Sequence, residues 1–401
     1  MTEVAEQQPS ESLGLMEPLL PSPPRREISD LAIDLAMKSQ SLAALLHPKI
    51  QLSVGHLVRS MNCYYSNLIE GHDTHPRDID RALAEDYSQE PKKRALQKEA
   101  VAHIAVQKMI DEGEDPQEEP VSVKYLLWLH GEFCSRLPEE MLYVENLDSK
   151  ERIHIRPGRL RDGRVVVGRH IPPRPENLES FLARFEEAYS LPGLSKEERI
   201  VSVGAAHHRL LWIHPFFDGN GRVARLMSHA MLKRLGIGSP LWSVSRGLAR
   251  QVDAYKSRLA EADEPRRSDL DGRGTLSEQA LVDFCRFFLS AAIDQVDFMA
   301  GLLRPSELLN RIRIHIEEEI GAKRLPKGSF ALLREAVQAG EFERGRAPEL
   351  TGYEVRQARK VMSALNDKGL LVADGPKKPV RLGIPLAVVE RWFPALYPSK
   401  V

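Results

Sequence analysis

The sequence predicts a mainly helical protein with one protruding β-hairpin and a separate C-terminal helix-turn-helix unit, on three observations. Apolar residues recur at three- and four-residue spacing from Ile28 to about residue 300, the period of helices that bury one face. Residues 153–173, IHIRPGRLRDGRVVVGRHIPP, break that period. There Asp162-Gly163 lies between short β-favouring runs, the turn chemistry of a hairpin. From about Lys327 the order becomes helix, turn, helix, hairpin, which is that of a winged helix-turn-helix.

Residues 1–26 read as a disordered or extended arm, because Pro18, Pro21, Pro23 and Pro24 block helix and little apolar surface is present to order them. ISDLAIDLAMKSQSLAALL is the first helix, with Ser29 as its expected N-cap. LSVGHLVRSMNCYYSNLIE is the second and stops at Gly71. The third is interrupted by Pro91 and ends near Gly113, before an acidic linker at residues 111–120. VSVKYLLWLHGEFCSRL resumes the helical period. After the hairpin, ENLESFLARFEEAYS and KEERIVSVGAAHHRLLWI are helices, and the latter delivers the chain to His214. GRVARLMSHAMLKRLG is another, closed by Gly236. At the C-terminal end, TGYEVRQARKVMSALNDKGLL reads as a Thr-capped helix and LLVADGPKKPVRLGI as two short strands. The expected division is an arm (1–26), an N-terminal helical region (27–115), a core (116–300), a helical linker (301–326) and the winged unit (327–401).

At 401 residues the chain exceeds one ordinary core, so several folding units are expected. Lys+Arg 56 against Asp+Glu 57 leaves no overall field to steer it toward nucleic acid or membrane, and any such binding must come from a local patch. Cys63, Cys134 and Cys285 are odd in number and unpaired in spacing, which excludes a disulfide framework or a structural zinc set. No stretch approaches the roughly 20 apolar residues of a membrane helix, and the acidic, proline-rich start is unlike a secretory signal. The expected place is the cytoplasm, with no membrane partner; the oligomeric state is not legible.

The chemistry concentrates in HPFFDGNGRVAR, residues 214–225. Pro215 ends the preceding helix, leaving His214 at a corner. Gly219 and Gly221 free the backbone of the loop, and the helix starting near Gly221 directs its amides and positive end at the same point, a cradle for phosphate. Arg222 and Arg225, three positions apart, are placed to clamp further phosphate oxygens. Asp218 is placed to hold Mg²⁺, which needs one or two protein carboxylates when phosphates supply other ligands. His214 is placed to take a proton from an attacking hydroxyl. On chemistry alone, a plain helix-loop-helix corner with a satisfied histidine and two solvated arginines accounts for the string as well.

The string resembles the signature of the Fic (Fido) family, with His214, Phe216, Asp218, Gly219, Asn220, Gly221, Arg222 and Arg225 filling every fixed place. The resemblance implies a Fic/Fido helical core that transfers AMP from ATP to a Ser, Thr or Tyr hydroxyl of a protein and releases pyrophosphate. It implies His214 as base, Asp218 as Mg²⁺ ligand, and Gly219, Asn220 and Gly221 as the anion hole. Arg222 would meet the β-phosphate and Arg225 the γ-phosphate, while Phe216 anchors the loop. The family's flap hairpin corresponds to Arg156 to Gly168 and would pair with the target protein, the chain itself being one candidate. DAYKSRLAEAD resembles the adenine-side segment, which implies Tyr255 and Asp263 as nucleotide contacts; Lys256 departs from the tyrosine of many relatives.

Upstream, Ser66, Glu70 and Gly71 in SNLIEG resemble the family's inhibitory motif. Glu70 ends a helix, where its charge opposes the dipole at a cost of about 0.3–1 kcal/mol unless a cation compensates. The resemblance makes Arg225 that cation and Glu70 a brake on γ-phosphate binding. It also leaves removal of AMP as an alternative main activity. A reading of another class is a DNA-binding regulator acting through residues 327–401, with Arg356, Arg359 and Lys360 on the recognition helix and Lys377, Lys378 and Arg381 on the wing. His207 and His208 are expected to be structural, since their spacing with His214 does not gather a metal set.

Overall fold

The structure is a computed structural model, and it describes residues 11–23, 25–145, 150–238 and 240–397. It is mainly helical. Four helices come first: α1 (Arg26–Ala44), α2 (Pro48–Ile69), α3 (Pro76–Leu83) and α4 (Pro91–Glu112). The last three open on proline, whose missing amide costs nothing at a first helical position. The N-cap of α1 is Arg25 rather than Ser29, whose hydroxyl instead donates to the Arg25 carbonyl at 3.2 Å from within the first turn. Next come α5 (Val123–Cys134), α6 (Leu178–Tyr189), α7 (Lys196–Ile213), α8 (Asn220–Arg234), α9 (Val244–Arg250), α10 (Val252–Ala262) and α11 (Glu278–Leu303). The long α11 packs against α1, α7, α9 and α10 and centres the core. No helix of the described residues is long and apolar enough to cross a membrane.

Two expectations change here. The first ten residues of the arm lie outside the described residues, but residues 11–23 are packed rather than extended into solvent. Met16 and Leu19 are buried. The prolines rule out α-helix, and apart from a 3-10 turn at Leu13–Met16 the segment leaves carbonyls free to accept: Pro18 O from Arg209 at 2.8 Å, Leu19 O from the Tyr189 hydroxyl at 2.6 Å, and Glu17 O from the Leu276 amide at 2.9 Å. The β-hairpin also lies earlier than expected. β1 (Tyr143–Glu145) pairs antiparallel with β2 (Arg152–His154), whereas residues 156–168 form an irregular loop whose only bridge among the described residues joins Val167 to His170. Besides its own few bonds the loop is tied through Arg161 to the corner at His214, and that overrides the turn preference of Asp162-Gly163.

The C-terminal unit contains α12 (Pro305–Gly321), α13 (Ser329–Ala339), β3 (Glu341–Phe342), α14 (Ala347–Thr351), α15 (Val355–Asp367), β4 (Leu371–Val372), β5 (Val380–Leu382) and α16 (Leu386–Trp392). Its strands form an antiparallel sheet in the order β3-β5-β4. Thr351 ends α14 and α15 is capped by Glu354, so the expected threonine cap is one turn off. The stretch expected as a linker is integral to this unit: α12 receives the Trp392 indole on His315 at 3.1 Å and donates from Arg311 to the Trp392 carbonyl at 2.7 Å.

This unit grips α2 along its length. Ser53 donates to Leu382 O at 2.7 Å, Lys49 pairs with Glu341 at 3.3 Å, and the Tyr65 hydroxyl donates to Leu396 O at 3.1 Å. Tyr64 meets Tyr397 edge to face. α2 therefore presents its last turn, Ser66 to Ile69, to α8 from a fixed seat.

Candidate active site

A reciprocal capping box, Ser195 with Glu198, starts α7, and Pro215 stops it. The last residue before the proline is His214, held in the left-handed region at φ 49° and ψ 61°. Its Nδ1 lies 3.3 Å from the Leu211 carbonyl. A carbonyl only accepts, so Nδ1 carries the proton and Nε2 keeps a free lone pair. Burial pushes the imidazole down to about 4, so it is neutral at pH 7 and able to accept a proton.

The loop after His214 is closed by Asn220. Its side-chain oxygen accepts from the Phe216 amide at 3.0 Å and its NH₂ donates to the Phe216 carbonyl at 2.8 Å. Phe216 is fully buried and stacks on His130 at 3.9 Å. Gly219, at φ 80°, takes the left-handed turn that caps α8, and its amide donates to Asp218 at 2.6 Å. The first helical bond runs from Val223 to Gly219 at 2.9 Å, so the amides of Asn220, Gly221 and Arg222 precede the ladder and remain open to an anion. The cradle is thus made by backbone, while the Asn220 side chain is spent on closing the loop.

A carboxylate already occupies that positive end. Glu70, the C-cap of α2, accepts from Arg225 Nη2 at 2.5 Å, and Ser66 accepts from Arg225 Nε at 2.8 Å through its hydroxyl and from Nη2 at 3.3 Å through its carbonyl. Gly71, at φ 81°, lets the chain turn away. A Cβ on Gly221 would collide with Glu70 Oε1, so any larger residue there would push the flexible carboxylate off the first turn of α8. Burial alone would raise the Glu70 carboxyl, but Arg225 and then Arg222 more than offset it and hold it below its ordinary value. Arg222 has its own carboxylate: it forms an ion pair with buried Glu99 of α4 and lies 3.1 Å from His72 Nδ1, which is itself 2.8 Å from Glu99.

His214, Glu70, Gly221 and Arg225 open on one cavity of about 750 Å³, a volume in the range of small-molecule sites. Tyr255 and Asp263 also line it, but each is tethered. The Tyr255 hydroxyl lies 2.7 Å from His207 Nε2, and Asp263 lies 3.2 Å from His208 Nε2. His207 further meets Ser228 at 2.9 Å and His208 meets Arg209 at 2.8 Å, so both histidines are held by protein groups. Asp218, in the loop, and Arg222, on α8, are not among the residues lining the cavity.

Residues 120–232, from just before α5 to near the end of α8, match the sequence model of the Fic/DOC family. The chain carries a Fic domain. It is 30% identical over 178 residues to "Protein adenylyltransferase Fic" of Nematostella vectensis, covering 43% of this chain and 37% of that protein. It is 31% identical over 132 residues to the protein of the same name in Drosophila erecta, covering 32% and 26%. The matches thus span well under half the length of these relatives. In fold, the chain is similar to the crystal structure of a Fic family protein from Desulfovibrio desulfuricans G20, with a TM-score of 0.52 at 17% identity over 91% of this chain and 98% of that one.

Ser66, Glu70, His72 and Glu99 reach the Fic domain from α2, the turn after it and α4, all before the matched residues. The motif announces neither Glu99 nor Arg161. Glu99 left one faint signal: with His103 and Gln107 it forms a polar row at four-residue spacing on α4, and all three are buried. Arg161, 2% exposed within the loop expected to be a hairpin, left none.

Proposed function

We propose that the chain is a protein adenylyltransferase held in check by Glu70. The observation that carries this reading is the seat of the Glu70 carboxylate: it lies on Arg225 and on the first turn of α8, where an ATP phosphate belongs, beside a neutral His214 in the same cavity. When Glu70 gives way, the open amides and Arg225 receive the triphosphate and Arg222 stands at its side. A target hydroxyl gives its proton to His214 Nε2 as its oxygen attacks the α-phosphorus, and pyrophosphate leaves. Catalysis is then mostly positioning and charge stabilisation.

Among the described residues no three His, Cys, Asp or Glu side chains converge as a metal set. Mg²⁺ asks for less, since one carboxylate oxygen suffices beside phosphate oxygens. Asp218 is exposed and uses one oxygen on Gly219, so the residues present fit. Bound there, the ion would neutralise phosphate charge.

The target backbone is read as docking on the loop from Arg156 to Gly168, where Val166 and Val167 are exposed and Val167 lines the cavity. Residues 327–401 are read as a winged helix-turn-helix serving the enzyme rather than DNA. The wing strand β5 is turned onto α2, and Arg381 is paired with Asp374 at 2.7 Å, although Arg356, Arg359 and Lys360 remain exposed. Three buried free thiols suit the cytoplasm.

Labelled ATP tests the reading. Glu70→Gly should incorporate severalfold more label into protein than wild type, and His214→Ala on that background should abolish it. Equal labelling by wild type and Glu70→Gly removes the brake; labelling that survives His214→Ala removes the base. Removal of AMP is a second reading, supported by Glu70 and His214 sharing one cavity. It expects wild type, but not Glu70→Gly, to strip label from a modified protein.

A further inference from the structure

His214 occupies the left-handed backbone region, which residues with a Cβ adopt uncommonly, and here bonds from its surroundings reinforce it. The reinforcement comes from the loop at residues 156–168. Arg161 Nε donates to His214 O at 2.8 Å, and Nη2 donates to Ile213 O at 3.4 Å and to Pro173 O at 2.6 Å. Nη1 donates to Gly163 O at 2.9 Å, and the Arg161 amide donates to Pro215 O at 2.9 Å. The carbonyls of three successive residues, Ile213, His214 and Pro215, are therefore fixed by one arginine. These are also carbonyls that the end of α7 leaves without helical partners, so a cation there suits the negative end of the helix dipole.

We propose that Arg161 is a positioning residue for the His214 imidazole, acting through the carbonyls at the end of α7, and that it ties the loop at residues 156–168 to the reacting centre. The proposal rests on His214 being the base of the proposed reaction. Its logic is geometric. The direction of the imidazole follows from the backbone at residue 214, and a displacement of about 1 Å at a reacting group costs on the order of a hundredfold in rate. The same arginine bonds Gly163 and Pro173, on either side of the exposed Val166 and Val167, so pressure from a docked protein reaches the His214 carbonyl through a single rigid guanidinium. An ordinary buried cation would be matched by a carboxylate. Here burial pulls Arg161 down to about 10, with Glu11 and Glu176 offsetting this only in part, so its place is kept by the carbonyls it organises.

The groups facing His214 are the Leu211 carbonyl, Arg161, His170 and Glu70, and the positive charge of Arg161 helps keep the imidazole unprotonated. Two variants on the Glu70→Gly background use this. Arg161→Met should lower kcat by about a hundredfold, leave KM for ATP nearly unchanged, and move the acid limb of the rate profile to higher pH. Arg161→Lys keeps the charge but reaches fewer carbonyls, so the acid limb should stay near its place while only part of kcat returns. Equal losses in kcat and ATP affinity with an unmoved acid limb overturn the proposal, as does a full rate in Arg161→Met. A readout without turnover separates this from failure of the transfer reading. The imidazole NMR signal that vanishes in His214→Ala is titrated in wild type, Arg161→Met and Arg161→Lys. An upward shift in Arg161→Met together with a displaced limiting chemical shift in Arg161→Lys, which keeps the charge, supports positioning even if no label is ever transferred; an unmoved titration, or a wild-type limiting shift in Arg161→Lys, overturns it.

Discussion

Arg222 and Arg225 stand three residues apart on α8, and each meets a carboxylate from the helices packed over it, but the two pairs are attached differently. Glu99 comes from the middle of α4, is 1% exposed in its side chain and faces an arginine that is 5% exposed. Glu70 comes from the end of α2 and is 29% exposed against an arginine at 2%. A sealed pair in mid-helix has no route by which one partner can leave, whereas a carboxylate on a helix end beside a left-handed glycine can swing into water. Pairing with an arginine therefore does not make a brake. On the proposed reading, attachment at the end of an element, with solvent within reach, would.

Substitutions can break or sharpen that contrast. The largest effect is expected at the sealed pair: Glu99→Gln strands a buried guanidinium, and its stability should fall by about 3–5 kcal/mol, read as a shift in denaturant midpoint at pH 7. A loss as small as that of an exposed pair would erase the distinction. Glu70→Gln should cost clearly less in the same measurement, because the Glu70 end of the pair reaches water and the released Arg225 keeps its bonds to the Ser66 hydroxyl and carbonyl. The smallest effect is one of pH. Glu70 is lowered from 4.5, so its pair contributes above that pH and loses its contribution as pH falls through the folded value. His72 is raised from 6.5, chiefly by its hydrogen bond to Glu99, so that contact contributes below 6.5 and fades as pH rises through the folded value. The stability gap between wild type and Glu70→Gln should close on acidification. The gap for His72→Ala should close in the alkaline direction, and parallel profiles would refute the contrast.

What could be read beforehand follows the same line. The string from His214 to Arg225 is contiguous, so its loop, its cradle and its helix start are local facts, and helical periodicity carried most of the fold. Glu99 and Arg161 act on partners 123 and 53 residues away in sequence. Such contacts have no spacing to detect, because only the packed fold brings them together. The displaced hairpin has the same cause: Asp162-Gly163 favours a turn, but the bonds of Arg161 to the helix corner decide where the loop lies. The arm failed in the opposite sense, since its prolines gave true information about α-helix and none about the carbonyls that accept bonds from the core.

The grip of the C-terminal unit on α2 has a mechanical consequence. Ser53 is held near one end of the helix and Tyr64 and Tyr65 near the other, each by residues more than 300 positions later. Sliding α2 by one turn, about 5.4 Å, would carry Glu70 clear of Arg225, but it would tear all of these seats at once. The cheaper motion is a rotamer change of a single side chain beyond the last clamped turn. Side-chain flips take picoseconds to nanoseconds, against microseconds or longer for helix displacements. On the proposed reading, engagement of a triphosphate would be timed by a flick of Glu70, with the helix behind it standing still as a post.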